Sequence, residues 1–151
     1  MLGHAEALAS MRAWPEGYPN KTKNDQVCKI FVQHAAAFKA TQSADGRWHQ
    51  LLNDTNSFLE TSVTAMAITS LIRGVRGGVL PKAAYAPVIE LAWKGLVSTV
   101  LLNGTVTQVC CGTDIEATAQ DYYNRPTSYS CSGPGGAGAV LYAAVDIAKG
   151  Y

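Results

Sequence analysis

Four stretches of the chain repeat apolar residues at the three-and-four spacing of a helix with one buried face. Residues 25–41 place Val27, Ile30, Phe31, His34 and Phe38 on one side, and residues 58–75 do so with Leu59, Val63, Met66, Ser70 and Leu71. Residues 83–101 carry Val88, Ala92, Leu96 and Val100 with extra apolar flanks, which predicts burial on both sides. Residues 137–149 repeat the spacing through Val140, Leu141, Ala144 and Val145. The chain also opens on a helical pattern, Leu2, Ala5, Leu8 and Ala9, so five helices are expected. A start inside a helix implies further sequence upstream.

Turn residues punctuate these helices. Trp14-Pro15-Glu16-Gly17-Tyr18-Pro19 stops the first, and Asp45-Gly46 turns into a short extended piece over residues 47–51. Gly74, Gly77 and Gly78 close the third helix, and Pro81 precedes the fourth. Asn103-Gly104 suits a tight turn into a strand over residues 105–109. Residues 111–136 read as a loop, too long to be idle in a compact domain. The expected architecture is all-α: one domain over residues 1–151, built of helical hairpins with small β pieces in its loops.

Composition narrows the function. With 48% hydrophobic residues the 151-residue chain can fill a core and does not read as disordered. A net charge of +1 without a basic stripe excludes nucleic acid as an expected partner. The longest apolar stretch, residues 88–102, is interrupted by Glu90, Lys94, Ser98 and Thr99, so no membrane span is expected. Asn20-Lys21-Thr22, Asn53-Asp54-Thr55 and Asn103-Gly104-Thr105 are glycosylation sequons. With an even cysteine count they point to an extracellular protein, although the first residues lack a signal-peptide pattern. Cys110 or Cys111 with Cys131 is the expected bridge, and buried free thiols are the alternative. The spacing fits no zinc motif, and neither a metal nor another cofactor is expected.

Candidate chemistry concentrates in WHQLLNDTNSFLETSVTAM, Trp48 to Met66. Aromatic faces and hydrogen-bonding groups gather there at the mouth of a helix, a grouping that suits sugar recognition. Ser57-Phe58-Leu59-Glu60 also reads as a capping box, with Glu60 reaching back to Ser57. In a strand His49 would face away from Trp48 and Gln50. His34, on an apolar face, reads as a core histidine. The carboxylates Asp54, Glu60, Asp114, Glu116 and Asp121 form no recognisable pair by spacing. Asp121-Tyr122-Tyr123-Asn124-Arg125-Pro126 offers rings with a polar fringe on the long loop. Gly133-Pro134-Gly135-Gly136-Ala137-Gly138 matches a dinucleotide fingerprint in letters, but no buried strand precedes it and none follows its helix. Its glycines more simply let a helix start close to a neighbour, or leave backbone N–H groups facing an anion.

DGRWHQLLNDTNSFLETSVTAM, then Ile72 to Gly78 with Tyr85, Ala92 to Leu96, Val109-Cys110 with Gly112-Thr113, Tyr122-Tyr123 and Gly133 to Ala143 occur in a familiar order. The chain from Asp45 onward resembles the C-terminal portion of the unsaturated rhamnogalacturonyl hydrolases, glycoside hydrolase family 105, related to family 88. Residues 3–15 resemble the family more loosely. The resemblance implies part of a barrel of six helical hairpins, an (α/α)6 toroid. It implies removal of a 4,5-unsaturated uronic acid from pectin-derived oligosaccharides. Water adds across the sugar's double bond with an Asp as acid and base, and the hemiketal then falls apart. That Asp and the family's arginine- and tryptophan-containing pocket motif correspond to sequence before Met1. No catalytic residue is therefore assigned in this chain, which is expected to be an inactive fragment. Trp48, His49, Glu60, Ser62 and Tyr123 are the residues expected to meet an oligosaccharide. The rival reading is a non-catalytic carbohydrate-binding helical module.

Overall fold

The computed structural model describes residues 1–12, 21–110, 117–118, 120–121, 127–128 and 134–151. The turn at 14–19, Asn20, Cys111, Cys131, Tyr123 and most of the long loop lie outside the described residues. Five long helices fall within them: α1 (Leu2–Arg12), α2 (Lys21–Ala40), α3 (Thr61–Arg76), α4 (Lys82–Val97) and α5 (Pro134–Lys149). Two small antiparallel pairs accompany them, β1 (Trp48–His49) with β2 (Leu59–Glu60) and β3 (Val109–Cys110) with β4 (Thr127–Ser128). This is the expected all-α arrangement of hairpins, an arc of a six-hairpin barrel.

The arc is organised around α3, which packs against α1, α4 and α5. Eleven of its sixteen residues are buried, so α3 is enclosed on several sides rather than along one stripe. Gly74 lets Phe31 of α2 and Leu80 approach; a Cβ there would meet both at 2.7 Å. The helix ends where the Gly77 N–H donates to the Arg73 carbonyl and Gly78 turns to φ +67°. Trp48, Phe31, Ile68, Leu71, Ile72, Ile89 and Leu96 are the largest apolar side chains in the core.

Several expected faces are corrected. His34 is exposed, its ring edge-on to His4 at 5.1 Å, while Phe31 and Ala35 take the buried side of α2. Its pKa lies below the ordinary histidine value, first through partial desolvation and then through the positive chain terminus and His4. On α5 the buried side is Ala143 and Asp146, and Leu141, Tyr142 and Val145 point outward. A charged residue tied to two arginines outweighs the aliphatic periodicity there. Helix α4 buries one side only, since Leu91 and Val97 are exposed. Met66 is likewise partly exposed.

At the C-terminal end of α3, Asp146 of α5 receives Arg73 Nε at 2.8 Å and Arg76 Nη1 at 3.0 Å. Arg73 also pairs with Glu6 of α1, so three helices meet on one charge cluster. The two cations sit in the last turn of α3, where the helix dipole favours them. Asp146 is buried but Arg76 is more than a third exposed, which screens its share. Asp146→Ala is expected to cost about 1–3 kcal/mol, read as a lower urea midpoint at unchanged slope.

Candidate functional site

The sequence-predicted cluster assembles at the N-terminal end of α3. The turn Asp45-Gly46-Arg47 leads into β1, and a loop closed by Ser57 returns the chain along β2, with Trp48 opposite Glu60 and His49 opposite Leu59. Pairing holds Glu60 extended, at φ −113° and ψ 126°, and so delays the helix to Thr61. Ser57 is therefore not the cap. Its hydroxyl accepts from the Leu51 N–H at 3.1 Å and donates to the Asp54 carbonyl at 2.8 Å, fastening the loop instead.

Glu60 is the cap itself. It is 2% exposed. Its Oε1 accepts from the Ser62 N–H at 3.1 Å and from the Cys110 N–H at 2.9 Å, and its Oε2 accepts from the Val63 N–H at 2.5 Å. The Ser62 hydroxyl lies within 2.9 Å of both oxygens. One carboxylate thus satisfies the first turn of α3 and ties β3 to it. The Thr61 N–H donates to the Gln108 carbonyl at 3.0 Å, so it too is occupied. With its amides paired, this helix start offers no open anion site.

The strand preceding Cys110 is bent to make that contact. Gln108 stands at φ 57°, a left-handed conformation rare for a residue with a Cβ. Its side-chain oxygen accepts from Arg47 Nη1, and Arg47 is held in turn by Asp45, 2.7 Å from Nε. Thr61 Oγ donates to the Thr107 carbonyl at 2.7 Å. Gly136 of α5 lies against Val109, where a Cβ would meet Cγ2 at 2.7 Å. The glycine-rich helix start therefore serves close approach to β3.

The expected contact residues separate in role. Trp48 is 0% exposed, its Nε1–H donating to the Phe38 carbonyl at 2.7 Å and its ring 5.5 Å from Phe38. It packs in the core and presents no face for stacking. Ser62 is half-buried and spent on Glu60. His49 is half-buried, with Nδ1 2.5 Å from the Ser57 carbonyl. A carbonyl only accepts, so Nδ1 carries the hydrogen and Nε2 of the neutral ring is an acceptor. Nε2 has no partner among the described residues. Gln50 donates weakly to Cys110 Sγ at 3.8 Å. Tyr123 lies outside the described residues. Of the four that are described, His49 is the side chain with an atom free to meet a ligand.

Sequence reasoning missed Arg47, Gln108 and the Cys110 backbone. Asp-Gly-x before a strand signals a turn, and so could have flagged Arg47; nothing in the sequence signals the left-handed Gln108. Cys28 and Cys110 are free thiols among the described residues; the expected bridge of Cys110 or Cys111 with Cys131 involves residues outside them. Among the described residues no three His, Cys, Asp or Glu side chains gather to hold a metal. No described helix is long and apolar enough to cross a membrane. Two clefts lie at the other end of α3: a small apolar one of about 40 Å³ under Phe31, and a charged one of about 370 Å³ around Arg73, Arg76 and Asp146. The chemistry-bearing cluster lies at the opposite end of the helix.

Comparison with known proteins bears on this geometry. Residues 7–151 match the model of Glycosyl Hydrolase Family 88. No curated protein matches the chain. Among solved structures, a possible family 105 member from Salmonella enterica serovar Paratyphi A is 26% identical, with a TM-score of 0.86 over 98% of this chain and 37% of its own. A family 88 glycosyl hydrolase from Bacteroides vulgatus is 25% identical, with a TM-score of 0.76 over 98% of this chain and 40% of its own. A family 105 glycoside hydrolase from C. acetobutylicum, 23% identical, shares the fold at a TM-score of 0.75 over 96% and 43%. The chain thus spans 37% to 43% of the length of these three relatives.

Proposed function

We infer that this chain, which belongs to glycosyl hydrolase family 88, supplies one wall of a sugar pocket and not the chemistry performed there. The substrate class is an oligosaccharide ending in a 4,5-unsaturated uronic acid, of the kind left by pectin lyases, met outside the cell. The observation that carries the reading is the lock on Glu60. The carboxylate at the centre of the cluster is buried and fully engaged by Ser62, Val63 and Cys110. Its oxygens are taken up in holding α3 to β3 and are not turned toward a substrate. On β1, opposite Leu59, His49 Nε2 has no partner among the described residues and suits a sugar hydroxyl. The acid and base belong to other parts of the family's barrel.

A calorimetric titration with an unsaturated uronyl disaccharide tests the wall. Saturable heat that falls roughly fivefold or more in affinity in His49→Ala is expected, the worth of one hydrogen bond. No saturable heat, or an unaffected variant, would remove His49 from the pocket. A binding module without any chemistry is the second reading, favoured by the lack of a free carboxylate in the described cluster. It predicts equal affinity for fragments that lack the double bond.

A further inference from the structure

We propose that Asn103 is an attachment site for an N-linked glycan. The sequon Asn103-Gly104-Thr105 lies at the tip of a two-stranded excursion between α4 and β3. Val100 bridges to Val106 across it, the Leu101 N–H donates to the Thr105 carbonyl at 2.9 Å, and the Gly104 N–H returns to the Leu101 carbonyl at 2.8 Å. A tight turn thus thrusts Leu102 and Asn103 outward. Both are exposed, Leu102 as much as 111%.

Three features of this tip suit a glycan. Gly104 stands at φ +83°, is exposed, and a Cβ built there would meet nothing within 4 Å, so the middle of the sequon borders open space. The Thr105 N–H donates to Asn103 Oδ1 at 3.0 Å, an Asx turn that leaves the amide nitrogen without a required partner in the folded chain, so a sugar there displaces no contact of the fold. Exposed Leu101 and Leu102 beside it give the first sugar an apolar surface to cover. The sequon at Asn53 is also exposed, but its loop leads directly to Ser57 and His49, where a glycan would crowd the candidate pocket wall. The sequon at Asn20 lies outside the described residues.

The transfer is a substitution at carbon. The Asn103 amide nitrogen bonds to the anomeric carbon of an oligosaccharide carried on a lipid diphosphate. The bond from that carbon to the phosphate oxygen breaks, the lipid diphosphate leaves with the bonding pair, and the nitrogen loses one proton. The co-reactant is supplied by a secretory compartment, so the site rests on the extracellular reading above.

The test directs the full chain into a eukaryotic secretory host with an added leader, then trims any glycan with an endoglycosidase that leaves the first sugar attached. That residual sugar separates glycosylation from spontaneous deamidation at Asn103-Gly104. Peptide mass spectrometry is expected to find it on Asn103 in the parent and in Asn53→Gln. It should be absent in Asn103→Gln and Thr105→Ala, and restored in Thr105→Ser. Attachment precedes folding, so a variant that folds poorly still reports. A bare Asn103 in a host that modifies a control sequon would overturn the proposal. Sugar at Asn103 in this host, but none on protein from its native source, would support the site and overturn the extracellular reading instead.

Discussion

Replacing Glu60 with alanine is expected to lower the unfolding free energy by about 2–5 kcal/mol, from a lost cap worth about 1–2 and the stranded Cys110 amide at about 1–3. The carboxylate is buried and receives the Ser62, Val63 and Cys110 amides together with the Ser62 hydroxyl. Alanine takes all of these partners away and provides none. Glu60→Gln keeps one acceptor oxygen and is expected to lose roughly half as much. Glu60→Asp keeps the charge, but its shorter arm should hold the helix start and release Cys110. Urea unfolding of the three variants at unchanged slope reads the order Asp and Gln above Ala. A loss of about 0.5 kcal/mol or less in Glu60→Ala, the range of an ordinary surface substitution, would mean that the carboxylate does not lock α3 to β3 and is free for a ligand.

Gly46→Ala is the second large effect, expected at about 2–5 kcal/mol from left-handed strain of about 1–2 and overpacking of about 1–3. Gly46 stands at φ +93°, and its Cβ would lie 2.1 Å from the Leu91 carbonyl oxygen and 2.5 Å from its carbon. Both are backbone atoms within α4 and cannot swing aside. The contact is reciprocal, because a Cβ on Gly95 would stand 2.4 Å from the Asp45 carbonyl oxygen. The Asp45-Gly46-Arg47 turn is therefore seated across α4 on two glycines, and Arg47 reaches Gln108 from that seat. Gly104→Ala is the control. It meets the same left-handed strain, at φ +83°, with open space around it, and should cost only about 1–2 kcal/mol. Thermal or urea midpoints that fall equally for the two would assign the effect to backbone strain and not to the seat.

The helices were legible in the sequence because apolar spacing survives whatever surrounds them. Their faces were less so. On α5 the aliphatic run through Leu141 and Val145 pointed to the wrong side, since the buried side holds Asp146 paired across to Arg73 and Arg76. Periodicity cannot see a charge that gains a partner sixty or more positions away. On α2, His34 sat at a core spacing yet faces out, because small Ala35 lets α2 approach its neighbours on the adjoining side.

The candidate site shows the same division. The stretch from Trp48 to Met66 was found from its residue types, and its strand alternation correctly set His49 apart from Trp48. The capping box failed by one physical step. Pairing of β2 with β1 keeps Leu59 and Glu60 extended, so the helix starts later and Glu60 caps it directly. Trp48 reads as a stacking platform in sequence because an indole suits either a sugar or a core, and only packing against Phe38 decides. The left-handed Gln108 and the Cys110 amide on Glu60 depend on a contact fifty residues apart, which no local pattern carries.

The central claim is that this wall meets the sugar and does no chemistry on it. Its most direct test follows the ultraviolet absorbance of an unsaturated uronyl disaccharide in the presence of the purified, folded chain. No loss of absorbance above the rate in buffer is expected, whatever the chain concentration. A steady loss proportional to chain concentration would contradict it, and would place an acid and base among this chain's own residues.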